Sequence, residues 1–205
     1  MDIRTTQLEP GRVFHVFNRG VNGGKVFFEK KNFQYFLRQY DKYVGPYVNT
    51  YAYCLLGNHF HLMIRVKLEG EFEGRRANGI DKPPHWIVSN AFSSFFQSYT
   101  RGLNKVYKRS GPLFESPFKR IAVRDVSYFT QLIRYIHCNP SKHQLSCHYT
   151  RHAHSSFLTY LRNNESDLIC VEPVLDWFGG LKNFERDHQD YANGLLARQE
   201  DWMID

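Results

Sequence analysis

An α+β fold, an antiparallel sheet with helices on one face, is predicted by three observations. Several short segments alternate apolar and polar residues with the two-residue period of a strand. Others repeat apolar residues at helical spacing. Their order along the chain is β-α-β-β-α-β with a further helix behind it, which is the split β-α-β layout of ferredoxin-like (RRM-like) domains.

The first strand is RVFHVF, residues 12–17, closed by the turn chemistry of Asn18-Arg19-Gly20. A helix over 30–44 follows, with Phe33, Phe36, Leu37, Tyr40 and Val44 on one side, and Gly45-Pro46 stops it. YVNTYAYCL and HFHLMIRV flank Gly57-Asn58 and read as a hairpin. Residues 68–85 are charged, aperiodic and rich in Gly and Pro, a loop. The longest apolar stripe runs from Ile87 through Phe92, Phe95 and Tyr99 to Tyr107, and Gly111-Pro112 ends that helix. A short strand fits PFKRIAV, 117–123. Asp125 then caps a helix whose core face is Val126, Phe129, Leu132, Ile133 and Ile136, with its end expected at Pro140. The chain divides into a domain over 1–160 and an acidic tail over 161–205, in which Trp177, Phe178, Phe184 and Tyr191 suit one or two short packing helices.

Charge is segregated along the 205 residues. Residues 1–164 carry 24 Lys and Arg against 10 Asp and Glu, whereas 165–205 carry 3 against 10. Such a basic body suits a polyanionic partner, nucleic acid before any other. The start of the chain has no basic region followed by an apolar stretch, and no segment approaches the ~18 apolar residues of a membrane span, so a cytoplasmic, nucleoid-associated protein without a membrane partner is expected. Four cysteines lack paired spacing and are expected to be reduced thiols.

In the strand HFHLMIRV, Phe60, Leu62, Ile64 and Val66 form a core face, and His59, His61, Met63 and Arg65 point the other way. Two imidazoles side by side can converge on one cation, although such a pair alone is more often polar surface. On the helix that Asp125 caps, Tyr128, Gln131, Tyr135 and Asn139 form a stripe beside the apolar face; Tyr135 and Asn139, four apart, project together. Each alone reads as an amphipathic residue or a helix end. Together with the histidines, a phenol and an amide suit cleavage of a phosphodiester: a cation polarises the phosphate and a phenolate attacks it. His137 falls on another helix face and is assigned no role.

These residues carry a resemblance. The blocks "FHVFNRG", "YAYCLLGNHFHLMIR", "YTRGLNKVYKRSGPLFESPFK" and "LIRYIHCNPSKH", with a weaker "SSFLTYL", resemble the REP-associated tyrosine transposases, single-tyrosine HUH transposases of the insertion-sequence type, from about Phe14 to Tyr160. The resemblance implies the HUH endonuclease fold for 1–160, His59 and His61 as metal ligands with Asn139 as a third, Tyr135 as nucleophile, and Mg²⁺ or Mn²⁺ as cofactor. It implies cleavage and strand transfer of single-stranded DNA beside a hairpin, as in repetitive extragenic palindromes, through a 5′-phosphotyrosine.

Arg12, Arg19, Arg101, Lys105, Lys108, Arg109, Lys119 and Arg120 are candidate phosphate contacts. The small core and acidic tail favour a monomer. Two other readings stay open: a non-catalytic RRM-like binder of single-stranded nucleic acid, which has no need of the four site residues together, and a metal hydrolase using water, with Tyr135 incidental. Cys147, His148, His152 and His154 form a second group whose spacing fits no common zinc module.

Overall fold

The computed structural model describes residues 3–72, 82–142, 149–162 and 168–198. Four strands, β1 (Val13–Arg19), β2 (Val48–Leu55), β3 (His59–Val66) and β4 (Lys119–Ala122), form one antiparallel sheet in the order β2-β3-β1-β4. With α1 (Lys30–Val44) between β1 and β2 and α2 (Pro84–Val106) between β3 and β4, this is the ferredoxin-like order read from the sequence. Residues 73–81, in the expected loop, lie outside the described residues, and its last two, Pro84 and His85, already belong to α2.

Alternation along the strands sorts side chains between the two faces. Phe14 and Val16 of β1 and Phe60, Leu62, Ile64 and Val66 of β3 pack with Phe36 and Tyr40 of α1 and with Phe92, Phe95 and Tyr99 of α2 in one buried cluster. The opposite face, bearing Met63, is covered by α3 (Val126–Lys142), whose Phe129, Leu132, Ile133 and Ile136 belong to a second cluster. The crossover helices thus share one face, and the helix after the last strand lies on the other. In β2 the register shifts between Thr50 and Ala52; this bulge turns Ala52 and Cys54 towards α3 while Val48 and Leu55 stay in the first cluster.

Local chemistry explains the element ends. At the start of α1 the Asn32 side-chain oxygen accepts from the backbone N–H of Phe28 and Glu29 at 2.8 and 2.9 Å. The Asp125 carboxylate accepts from the N–H of Tyr128 at 2.7 Å, the cap expected for α3. Two expectations need correcting. β1 does not end at Asn18: Asn18 pairs with Phe60 and Arg19 with His59, so the ladder holds the strand until Gly20. α3 does not end at Pro140 but runs on to Lys142; the proline sits in the last turn, so the N–H bond it forfeits and its crowding of the carbonyl four residues before it fall at the helix end. Where α1 and α2 cross, Gly102 lies against Tyr35, and a Cβ there would collide with its ring.

Behind α3 lie α4 (Phe157–Leu161), α5 (Glu172–Phe178) and α6 (Leu181–Arg198). Phe157, Tyr160, Val174, Phe178 and Phe184 from these helices complete the second cluster. No helix among the described residues is long and apolar enough to cross a membrane.

Candidate active site

The site lies between β1, β3 and α3. His59 and His61 project from β3 with ring centroids 5.2 Å apart and planes near perpendicular. Asn58 pairs with His59 Nδ1 at 2.7 Å. His61 is buried, and above it the Tyr135 ring from α3 stands edge-on at 5.5 Å between centroids. One turn further, Asn139 is 1% exposed, and neither its amide oxygen nor its amide nitrogen has a hydrogen-bond partner among the described residues. An unsatisfied buried amide costs about 1–3 kcal/mol, so its presence calls for a ligand or a functional reason.

β1 contributes a group that the sequence reading passed over. His15 alternates out of phase with the core residues Phe14 and Val16, as His61 does with Phe60 and Leu62, and that parity was the available signal. It is fully buried, its Nε2 lies 2.9 Å from His61 Nδ1, and its ring stacks on Phe17 at 4.6 Å and meets Tyr135 edge-on at 6.2 Å. Burial pushes the His15 imidazolium down to about 3, so the ring is neutral.

The donor set of two imidazoles and an amide oxygen suits a divalent cation held in part by a substrate's phosphate oxygens. The amide of Asn139 fits that use, since nothing within the protein satisfies it among the described residues. No cluster of three His, Cys, Asp or Glu side chains arranged to hold an ion occurs among the described residues. Cys147 and His148 of the second group lie outside them. His152 lies 2.9 Å from the Leu55 carbonyl, and His154 stacks on Phe33 at 3.7 Å.

The candidate DNA contacts divide by position. Arg19 sits opposite His59 in the ladder and is ion-paired with Glu115 at 2.5 Å; Lys119 lies over the Phe17 ring and 4.0 Å from the same carboxylate. Arg19 holds the Glu115 carboxyl below the usual carboxylate range. Arg101, Asn104 and Gln97 of α2 line a cleft of about 630 Å³ with Asn18, Phe114 and Arg120. Lys105 and Lys108 are exposed beyond it, and Arg109 lies over Phe28. Arg120 donates from Nε to the Thr6 carbonyl at 2.6 Å. Arg12 is paired with Glu9 and stands at the other end of β1, away from His59.

Against solved structures, a REP-associated tyrosine transposase bound to a REP hairpin superimposes with a TM-score of 0.59 over 82% of this chain and 90% of that one, at 15% identity. The fold is that of the transposase. A bacterial tRNA(His) guanylyltransferase-like protein in complex with ATP gives a looser fit, with a TM-score of 0.40 over 68% of this chain and 64% of that one at 11% identity. No family model matches the chain, and no curated protein matches it significantly. The likeness to the transposase is therefore one of fold, with little sequence in common.

Proposed function

We propose that the protein is a metal-dependent transposase that cleaves and rejoins single-stranded DNA beside a hairpin, with Tyr135 as nucleophile. The observation that carries this reading is the placement of the Tyr135 ring 5.5 Å from that of His61, on the sheet face away from α1 and α2, with the Asn139 amide on the next turn of the same helix. A binding module of RRM-like fold has no use for a buried phenol and an unsatisfied buried amide above two histidines. The fold shared with a transposase solved on a REP hairpin supports the same substrate class.

His59, His61 and Asn139 would hold a Mg²⁺ or Mn²⁺ ion, which supplies charge neutralisation at the scissile phosphate. Tyr135 Oη attacks phosphorus and forms a phosphotyrosine with the 5′ side, while the bond to the 3′ oxygen breaks. The proton lost by the phenol is balanced by the one that the departing 3′ oxygen gains. Attack by another 3′-hydroxyl on the phosphotyrosine runs the step in reverse and joins strands with no external energy. Arg19 and Lys119 border the imidazoles and would neutralise the flanking phosphates. The phenol and imidazoles meet within one chain, so the proposed site needs no residue from a second copy.

The test is incubation with end-labelled single-stranded DNA carrying a hairpin, in Mn²⁺. The expected product is a covalent protein–DNA adduct that is absent from Tyr135→Phe. Cleavage without an adduct supports the water-using hydrolase instead, and binding without cleavage supports the module.

A further inference from the structure

We infer that His15 is a positioning residue that holds His61 in the tautomer able to bind a cation. This rests on the metal-site reading of His59, His61 and Asn139 above. The geometry is a single bond between two imidazoles: His15 Nε2 and His61 Nδ1 lie 2.9 Å apart, with the rings stacked 5.1 Å between centroids and inclined by 23°. Two neutral imidazoles sharing one hydrogen bond have only two arrangements. In one, His61 Nδ1–H donates to His15 Nε2, and the lone pair of His61 is on Nε2. In the other, His15 donates, and His61 Nε2 carries the proton and cannot ligate. A cation at His61 Nε2 is compatible only with the first. The bond and the cation therefore favour the same tautomer of His61, and each strengthens the other.

Histidines that bind metals almost always give their second N–H to an acceptor that fixes the ring and raises its basicity, most often a carboxylate or carbonyl. Here the acceptor is a neutral imidazole. Its surroundings explain why this works: His15 is fully buried between the Phe17 ring at 4.6 Å and the Tyr135 edge, where a carboxylate would be costly to desolvate. His15 Nδ1 has no hydrogen-bond partner among the described residues, so the bond to His61 is the polar contact that justifies an imidazole at this position.

The experiment is calorimetric titration of the DNA-free protein with Mn²⁺ for the wild type, His15→Gln and His15→Leu, with thermal unfolding of each in parallel. The Gln amide oxygen can accept where Nε2 does, so His15→Gln is expected to keep Mn²⁺ affinity within about threefold. His15→Leu is expected to lose roughly 10- to 100-fold while staying folded and binding single-stranded DNA in EDTA as the wild type does. A folded His15→Leu with wild-type Mn²⁺ affinity overturns the inference and leaves the metal site standing. A wild type that takes up no Mn²⁺ either alone or in the presence of the single-stranded DNA overturns the metal site and this inference with it. Long-range ¹H–¹⁵N spectra of the wild type give a check that needs no variant: His61 is expected as the Nδ1–H tautomer, and an Nε2–H tautomer in the presence of saturating diamagnetic Mg²⁺ overturns the assignment.

Discussion

His137 Nδ1 lies 2.9 Å from His188 Nε2, so the helix that carries Tyr135 is tied to α6 by a bond between two buried imidazoles. The chain continues on both sides. His137 Nε2 is 2.8 Å from the Ser156 hydroxyl, which accepts from the Tyr53 N–H of β2, and His188 Nδ1 lies 2.7 Å from the Phe184 carbonyl. The tail is thereby joined to α3 and, through Ser156, to an edge of the sheet.

Burial of this pair makes the fold sensitive to acid. Burial lowers the His188 pKa to about 3 and drives that of His137 well below its usual 6.5; the facing charges are Arg134 and its ion-pair partner Asp187 at 3.8 Å. Both rings are neutral in the folded protein and titrate normally once unfolded. Below pH 6.5 the unfolded chain takes up protons that the folded one refuses, so stability is full above that pH. It falls towards pH 3 by about 1.4 kcal/mol per pH unit for each such histidine. The unfolding temperature is expected to drop between pH 7 and pH 5, and His188→Gln to flatten that dependence. An equal slope in wild type and variant would count against the assignment.

The strands, the helices and the faces of β3 and α3 were legible in the sequence because they depend on local periodicity, whereas the bulge between Thr50 and Ala52 reverses the alternation in β2 with no periodic signal. His59 and His61 oppose Phe60 and Leu62 by alternation alone, and Tyr135 lies four residues from Asn139 by helix geometry. That α3 crosses the sheet face opposite α1 and α2 is a tertiary fact, and no periodicity encodes it. The same applies to the pairs His15–His61 and His137–His188, which are 46 and 51 residues apart. β1 runs past the turn signal at Asn18 because turn propensity yields to a neighbouring ladder.

Asn139 predicts a trade between stability and activity. Its buried amide lacks partners among the described residues, so Asn139→Leu removes an unsatisfied polar group and is expected to raise stability by about 1 kcal/mol. The same change should abolish Mn²⁺ uptake and adduct formation. Asn139→Asp adds a negative charge to a neutral donor set and is expected to tighten Mn²⁺ binding. Thermal unfolding and titration calorimetry read both effects. A destabilised Asn139→Leu that still forms the adduct would show that the amide is structural.

The basic residues predict a position-dependent salt response. On the proposed reading Lys119, beside Phe17 and Arg19, and Arg101, in the α2 cleft, would meet DNA, whereas Arg12 is paired with Glu9 at the far end of β1. For single strands each neutralised phosphate contributes roughly −0.7 to the slope of log affinity against log salt. Lys119→Ala and Arg101→Ala should each make that slope shallower by about this amount, and Arg12→Ala should leave it unchanged. The contrast separates a specific path for the strand from diffuse attraction to a basic body, since diffuse attraction would lower the slope alike in all three. Fluorescence anisotropy with a single-stranded hairpin probe, run in EDTA so that cleavage does not intervene, distinguishes the two outcomes.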